Sequence, residues 1–395
     1  MALKVVWFCP LNIMPYADKV KFIDNKLPVI LAPWIDNYIK LLRENTELEV
    51  HLIAEYPTLE KDTEFNDGNV KIHLISQKMP FLKRGWPHRV RYFSNYFLLY
   101  RKVKKLLKKI NPDFIHLHGT EHDLSAVTLR LKTPKLITIQ GFINEAVKRN
   151  NNPYMQRKLM IENKIFKKFN CFGVRAAFME NIIKQYNRNA KFYFHNYIIE
   201  KPKFKKTPDF DAHIVYSARI CKDKGIEDLI KALGIVKQSY AQFKFKIIGS
   251  IYDEYKKFIL DFLRENGILE NTNLIGFLPD IDDVHYEVSK SMINVLPTYY
   301  DIISGTIIES MFIGVPVIAY DVGAIGELNY KRQTLIVVEK GNINWLAKEI
   351  SRLLEDNDLR ETLSKNAKLE MNERFCDDFE IEKLKQIYTE IINYK

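Results

Sequence analysis

Disulfide and membrane signals are scarce in this sequence. Its 395 residues include only four cysteines, Cys9, Cys171, Cys221 and Cys376, and no two of them form a CxxC pair. A disulfide-stapled scaffold is therefore excluded, and we expect reduced thiols in a cytosolic protein. The longest strongly apolar run is the segment 311–320, whereas a membrane-spanning helix needs roughly 18 residues. The start, MALKVVWFCP, also lacks the long apolar core of a signal peptide, which favours a cytoplasmic location.

Several ligand signatures are missing as well. No GxGxxG follows a predicted strand, which argues against a dinucleotide-dependent oxidoreductase. No DxD motif lies in a suitable strand context, so we expect neither a metal nor a cofactor. No RNA-binding signature or zinc-ligand spacing accompanies the net charge of +11, and nucleic acid is not an expected partner.

Short β-rich runs alternate with helical stretches along the whole chain. LKVVWF, LEVHLIAEY, DFIHLHG and KLITIQG form a first series, and a second series begins with HIVYSAR after residue 210. This alternation predicts parallel sheets covered by helices, and the Lys- and Pro-rich EKPKFKKTPDFD between the series predicts a linker. We therefore expect an α/β protein with two Rossmann-like domains, 1–205 and 206–373, and a C-terminal helical segment, 374–395. Ligands of such sheets bind outside the carboxyl ends of the strands.

Two cations follow the first strand of the second series. Arg219 and Lys224 lie five positions apart on a strand-to-helix loop, where they could hold a diphosphate from two sides. Two solvated loop charges are the ordinary alternative. Gly249, Gly276 and Phe277 end two further predicted strands and are weak signals on their own.

The segment DIISGTIIE places two carboxylates around a helix start. Ser304 is a plausible N-cap, so the N–H groups of Gly305 and Thr306 would be free to bind a phosphate. Glu309, about one turn into the helix, could accept hydrogen bonds from a ribose diol, and Asp301 would lie on the sugar side of the phosphates. Each carboxylate also has a common structural explanation. Glu309 could simply interact with the helix dipole in the first turn, and Asp301 could simply cap the loop.

Taken together, these motifs resemble a known family. The second half of the chain is similar to the retaining glycosyltransferases of family 4. The motifs that carry the similarity are Arg219, Lys224-Gly225, KIIGS, LIGFLPD, LPT, the two carboxylates eight positions apart, GVPVIAYDVGAIGE and NERF. The resemblance covers residues 212–395 and implies the GT-B fold, two Rossmann-like domains facing a cleft with a C-terminal helix crossing back to the first domain. It also implies that the two cations bind the donor diphosphate, Glu309 the ribose and Asp301 the donor sugar. Asp301 stands where the family usually has Glu.

The first half resembles the acceptor domain of the same family. INPDFIHLHG and TPKLITIQGF place His118 and Gln140 near the expected cleft, and Gln140 stands where many members have a histidine that contacts the donor sugar. The QG form is similar to that of bacterial capsule and surface-polysaccharide enzymes. A neutral amide can orient a sugar but cannot titrate. Ala32-Pro33-Trp34 replaces the usual Gly-Gly phosphate loop, and Pro33 has no N–H to offer.

The basic charge is concentrated in one segment. Residues 78–109 contain eleven Lys or Arg and no acidic residue, and apolar residues recur at helical spacing from Val90 to Ile110. An amphipathic helix packed on the first domain explains this pattern. Docking on an anionic membrane surface is the sharper interpretation, with the face formed by Lys104, Lys105, Lys108 and Lys109.

These predictions lead to one functional expectation. A glycosyltransferase would move a sugar from a nucleotide-sugar donor to a saccharide acceptor, lipid-linked in our expectation, with retention and without a metal, in the synthesis of a bacterial surface polysaccharide. Asp301, Arg219, Lys224 and Gln140 would serve the reaction, at the inner face of the membrane. A non-hydrolysing sugar-nucleotide epimerase and a catalytically degenerate nucleotide-sugar-binding protein remain alternatives.

Overall fold

The chain divides into two compact α/β units. The computed structural model describes residues 2–23, 25–28, 30, 32–77, 96–375 and 380–393. Unit 1 comprises Met1–Ile199 and Asp377–Lys395, and unit 2 comprises Glu200–Cys376. The predicted domain limits of 1–205, 206–373 and 374–395 stay predictions.

Unit 1 contains an eight-stranded sheet in its described part. Its strands are β1 (Leu3–Phe8), β2 (Leu48–Tyr56), β3 (Thr63–Asp67), β4 (Val70–Ser76), β5 (Phe114–His118), β6 (Lys135–Thr138), β7 (Cys171–Val174) and β8 (Lys191–Phe194). Its helices are α1 (Pro33–Leu42), α2 (Phe97–Ile110), α3 (Leu124–Thr128), α4 (Ile143–Arg149), α5 (Pro153–Lys168), α6 (Ala177–Lys184) and, after unit 2, α13 (Glu380–Asn393).

The strand order in unit 1 is β3-β4-β2-β1-β5-β6-β7-β8, and every pair is parallel except β3 with β4. The order reverses between β1 and β5, where Val6 pairs with Ile115. Such a switch point opens a crevice at the carboxyl ends of the two central strands. His118 ends β5 and therefore lies at this crevice.

The C-terminal helix belongs to unit 1, as predicted. Leu384, Ile387 and Tyr388 of α13 are buried in the core under the sheet. The Tyr388 hydroxyl lies 2.6 Å from His116 Nδ1 on β5, so a buried hydrogen bond adds direction to the apolar packing.

Unit 2 contains a six-stranded, all-parallel sheet in its described part. Its strands are β9 (Ala212–Ser217), β10 (Phe245–Ile248), β11 (Thr272–Gly276), β12 (Ser291–Leu296), β13 (Val317–Tyr320) and β14 (Ile336–Val338). Its helices are α7 (Ile226–Val236), α8 (Asp253–Glu265), α9 (Ile281–Ser289), α10 (Gly305–Ile313), α11 (Ile343–Glu355) and α12 (Asn357–Arg374).

The strand order in unit 2 is β11-β10-β9-β12-β13-β14, so the switch point lies between β9 and β12. Ile214 of β9 pairs with Ile293 of β12, and both are fully buried. The loop after β9 carries Arg219 and Lys224, and the loop after β12 carries Asp301. The fold therefore brings the predicted diphosphate and sugar residues to one crevice.

The predicted linker is attached to unit 2. Residues 200–211 form neither helix nor strand, but the Lys206 and Thr207 N–H groups donate to Ile313 O and Ser289 O at 2.9 and 3.1 Å. Backbone bonding of this kind fixes the segment to the ends of α9 and α10.

Candidate active site

Lys224 is held against the loop that follows β12. It ends a short 3-10 turn, Lys222–Lys224, and Gly225 comes next with φ +76°. A Cβ at Gly225 would overlap Pro297 O, so only glycine allows this approach. The Tyr299 N–H donates to Asp223 O at 2.9 Å. The two loops at the switch point therefore form one backbone-bonded structure.

Lys224 and Asp301 form an ion pair. The ammonium Nζ lies 2.8 Å from Asp301 Oδ1 and 2.6 Å from Oδ2, and Thr298 Oγ1 donates to Oδ2 at 2.7 Å. The two side chains are 22% and 19% exposed, which leaves the pair open to solvent and to a ligand. The predicted phosphate cation and the predicted sugar carboxylate are thus brought together.

Two tyrosines fix the loop that carries Asp301. Tyr299 and Tyr320 both donate to Asp228 Oδ2, at 2.5 and 2.8 Å. Burial, with the Asp228 carboxylate second, raises the pKa of both phenols, so they remain donors at neutral pH. Asp228 lies on α7, so this helix, β13 and the loop after β12 form one rigid support.

The start of α10 offers backbone donors. Ser304 is its N-cap residue, as predicted, but its Oγ lies 3.0 Å from Thr306 Oγ1 and does not cap an N–H group. The N–H groups of Gly305 and Thr306 bond to nothing within the described chain. Free N–H groups at the positive end of a nine-residue helix favour an anion.

Glu309 has a buried histidine beside it. His285 Nε2, on α9, lies 3.6 Å from Glu309 Oε2, too far for a hydrogen bond. Neither ring nitrogen of His285 has a hydrogen-bond partner among the described residues. Sequence analysis did not single out His285; its helical spacing of three from buried Val288 was the available signal.

The remaining donor-side predictions lie at neighbouring strand ends. Arg219 is exposed, and its guanidinium makes no hydrogen bond or ion pair with the described part of the chain. Burial raises the pKa of the Tyr216 phenol; the Asp301 charge raises it further and the Arg219 charge lowers it. Asp301 and Arg219 are therefore both close enough to Tyr216 to act on it electrostatically. Gly249 has φ +146°, and a Cβ there would overlap Ala218 O, so this glycine lets the backbone before Arg219 approach β10. Phe277 is 68% exposed.

The two predicted residues of unit 1 lie at the carboxyl ends of β5 and β6. His118 is 1% exposed, its ring lies 3.7 Å from that of His116, and its Nε2 has no partner in the described chain. Burial lowers the pKa of His118 well below its usual value, so the ring is neutral. Both side-chain polar atoms of Gln140 are likewise buried without a described partner. Both side chains therefore have hydrogen-bonding capacity to offer.

Three further residues at this edge were given no functional role from the sequence. Arg175 follows β7, and its guanidinium carbon lies 3.7 Å from the ring centroid of Tyr197. Tyr197 stacks on Trp34 with the ring centroids 5.6 Å apart. Because these residues are far apart in sequence, no motif could have revealed them. Trp34 lies in the Ala-Pro-Trp segment that replaces the family's Gly-Gly loop.

The basic helix α2 is amphipathic, as predicted, but its lysines are not equivalent. Leu99, Val103 and Leu107 are buried, while the predicted membrane-face lysines point outward. Lys109 lies 3.3 Å from Glu64, so it is paired, whereas Lys104, Lys105 and Lys108 make no ion pair with described residues. The preceding segment, 78–95, lies outside the described residues.

Two features are absent from the described residues, a membrane-spanning helix and a cluster of metal-binding side chains. None of the described helices is long and apolar enough to cross a membrane. Within the same part of the chain, no three His, Cys, Asp or Glu side chains are grouped so that they could hold a metal ion.

Comparison with known proteins agrees with this geometry. Residues 198–370 match the family described as "Glycosyl transferases group 1", and residues 37–172 match "Glycosyl transferase 4-like". The chain is 28% identical over 198 residues to the "Capsular polysaccharide biosynthesis glycosyltransferase CapM" of Staphylococcus aureus. That match covers 50% of this chain and 51% of CapM, so the chain spans about half the length of this curated relative.

Solved structures share the fold over the whole length. A sucrose-phosphate synthase from Thermosynechococcus elongatus has a TM-score of 0.75 at 18% identity, and the match covers 100% of both chains. Anabaena HepE, solved in complex with UDP and glucose, has a TM-score of 0.68 at 14% identity, covering 99% of this chain and 100% of HepE. With the two switch-point sheets, these structural matches show that the chain has the GT-B fold, built from two Rossmann-like units.

Proposed function

We propose that this protein is a glycosyltransferase that moves a sugar from a nucleoside diphosphate sugar to a saccharide acceptor with retention of configuration. The observation that carries the proposal is the Lys224–Asp301 ion pair beside the free N–H groups of α10 at the switch point of unit 2. Arg219, exposed on the same loop as Lys224, adds a second cation for the diphosphate. The UDP and glucose bound to HepE support a donor of this class.

The diphosphate would be bound by three groups. Two N–H bonds of the Lys224 ammonium go to Asp301, which leaves the third for a phosphate oxygen. The guanidinium of Arg219 and the N–H groups of Gly305 and Thr306 supply further donors. Glu309 would hold the ribose, as the resemblance implies.

The ion pair links the phosphate to the sugar. Asp301 is fixed by Thr298 and Lys224, so its carboxylate would accept a hydrogen bond from a donor-sugar hydroxyl next to the phosphates. The C1–oxygen bond of the sugar breaks, and its electron pair goes to the leaving phosphate oxygen. The acceptor oxygen forms the new bond to C1 on the same face, and its proton goes to the leaving phosphate.

The positive groups act mainly on the transition state. Negative charge grows on the leaving phosphate as the bond breaks, so Arg219, Lys224 and the start of α10 stabilise the transition state more than the ground state. We propose that these charges make a metal unnecessary. Activity should therefore persist in excess EDTA, and its loss would argue for a metal-dependent reaction.

The acceptor side would be unit 1, with Gln140 and His118 at the carboxyl edge of its sheet. The name of CapM supports an acceptor from a surface polysaccharide, which we propose is lipid-linked. The exposed Lys104, Lys105 and Lys108 of α2, with Phe97 46% and Leu98 44% exposed on the same helix, support docking on the anionic inner face of a membrane.

A donor panel tests the proposal. UDP-, GDP- and dTDP-sugars are incubated with the protein, with or without saccharide acceptors, and free sugar, nucleoside diphosphate and product anomer are measured. We expect one base to give turnover and a retained anomer. Absence of binding and turnover with every donor would overturn the proposal, and an inverted product would overturn the retaining mechanism alone.

A further inference from the structure

The carboxyl edge of the unit 1 sheet holds an unusual number of unsatisfied polar atoms. Trp34 Nε1, Gln140 Nε2, Gln140 Oε1 and Arg175 Nε are all buried, and none has a hydrogen-bond partner among the described residues. Buried polar groups in native proteins are nearly always paired with protein or water. A cluster of exceptions therefore indicates a place where something else supplies the partners.

The cluster is preorganised around Arg175. Its guanidinium carbon lies 3.7 Å from the ring centroid of Tyr197, which stacks on Trp34, and its Nη2 donates to Gln140 O at 3.3 Å. We call Trp34, Gln140, Arg175 and Tyr197 the Arg175 cluster. A stacked guanidinium keeps its planar donors in a fixed orientation, which suits an oxyanion.

The positive charge of Arg175 has no direct counterion among the described residues. No carboxylate lies within ion-pair distance of its guanidinium in the described part of the chain. Glu121 lies between Gly119 and Gly141 and acts on Arg175 electrostatically from beyond ion-pair distance; burial lowers the pKa of Arg175 and raises the pKa of Glu121.

A second carboxyl nearby, that of Glu162, adds little negative charge at neutral pH. Glu162 is 1% exposed, accepts a hydrogen bond from the Ile143 N–H at 3.0 Å, and contacts the hydroxyl of Thr120. Burial raises its pKa to about 8, so it is mostly uncharged at neutral pH. The edge therefore offers a cation with no carboxylate at ion-pair distance, and several N–H donors without a hydrogen-bond partner, among the described residues.

We propose that the Arg175 cluster binds an anionic oxygen group, a phosphate or a carboxylate, carried by the acceptor saccharide. The Nε–H of Arg175, the indole N–H of Trp34 and the amide of Gln140 are the donors. The assignment of this anion to the acceptor rests on the proposed transferase function, while the anion site itself does not.

Direct binding tests the site without turnover. Glucose 6-phosphate, glucuronate and glucose are titrated into the full chain and followed calorimetrically. One charged sugar should bind at least tenfold more tightly than glucose, and which one does so identifies the anion as phosphate or carboxylate. Equal, weak binding of all three sugars would overturn the proposal.

Variants locate the binding. Arg175→Gln should weaken the charged sugar at least tenfold, while Arg188→Gln, at an exposed arginine of the same unit, should leave it unchanged. Lys224→Ala should also leave it unchanged, which separates this site from the donor diphosphate site. Unchanged affinity in Arg175→Gln would overturn the proposal.

Two further measurements keep the test decisive. If Arg175→Gln does not fold, Trp34→Phe removes one N–H donor and keeps the ring, and it should weaken the charged sugar a few-fold; no change there would contradict the proposal. Nucleoside diphosphate binding is measured in parallel. Its absence in the wild type would refute the proposed transferase, whereas loss of charged-sugar binding in Arg175→Gln would still establish the anion site.

Discussion

Replacing Asp301 by Asn separates the two roles that the ion pair joins. The carboxylate binds the Lys224 ammonium at 2.6 and 2.8 Å, and both side chains are about one-fifth exposed. A partly exposed pair of this kind is worth at most about 1 kcal/mol. An amide at position 301 would release that restraint on Lys224, so its ammonium could turn fully toward the phosphate.

The expected changes have opposite signs. Affinity for the free nucleoside diphosphate should stay the same or rise up to about fivefold, because about 1 kcal/mol of competing attraction is lost. kcat should fall about tenfold or more, because a charged hydrogen bond to the donor sugar, worth roughly 1.5–3 kcal/mol, is lost.

Calorimetric titration and initial rates with the active donor measure the two quantities. Asp301→Glu is the matched control: it keeps the charge with one more methylene, and it restores the residue that the resembling family has at this position. We expect it to retain diphosphate affinity. A clear loss of diphosphate affinity in Asp301→Asn would show that the carboxylate supports phosphate binding, and the reasoning would be refuted.

Four other outcomes are expected. Arg219→Ala and Lys224→Ala should each lower turnover at least about 100-fold, because each removes one donor to the charge that develops on the leaving phosphate. The free energy of unfolding should stay nearly unchanged. Turnover within a few-fold of wild type would contradict diphosphate binding by these two cations. Glu309→Gln should raise the donor KM and the nucleoside diphosphate Kd about tenfold, since ribose binding is common to ground and transition states; an effect on kcat alone would reverse its role. Replacing Lys104, Lys105 and Lys108, the lysines of α2 without an ion pair among the described residues, by Gln should release the protein from anionic vesicles. Lys109→Gln should release it less, because Lys109 is paired with Glu64. Equal sedimentation of the protein with neutral and with anionic vesicles would argue against charge-driven docking. Glu162 has a pKa of about 8 in the folded state and near 4.5 in the unfolded state, so the free energy of unfolding should fall as the pH rises between these values. Glu162→Gln should make this fall smaller between pH 5 and pH 8. Parallel curves of unfolding free energy against pH for the variant and the wild type would disprove the buried neutral carboxyl.

Apolar runs made the sheets predictable. LKVVWF and LEVHLIAEY became β1 and β2 with the bounds that the sequence indicated, since both are buried along nearly their whole length. The strand β3, Thr63–Asp67, was not identified, because an edge strand with alternating half-buried and exposed residues carries little apolar signal. The strands β4, β7 and β8 were not identified from the sequence either; β7 and β8 have four residues each, whereas β4 has seven and is largely buried.

The site was only partly predictable for a different reason. Sequence placed Lys224 and Asp301 on loops at strand ends, but they are 77 positions apart, and nothing local indicates that they pair. The same holds for Arg175 and Trp34, which meet only through Tyr197. Ser304 shows the limit of local rules: it takes the N-cap position, yet its hydroxyl contacts Thr306 instead of capping the helix.

Titration of a nucleoside diphosphate, beside its parent nucleoside, into the wild type and the Arg219→Ala/Lys224→Ala double variant tests the central claim most directly. The diphosphate that matches the active base should bind the wild type at least about tenfold more tightly than the nucleoside, because each charge-assisted contact is worth roughly 1.5–3 kcal/mol. In the double variant that advantage should disappear while the nucleoside binds as before. Two results would contradict diphosphate binding by Arg219 and Lys224. One is equal affinity of the wild type for the nucleoside and the nucleoside diphosphate. The other is a double variant that still binds the diphosphate more tightly than the nucleoside by the wild-type factor.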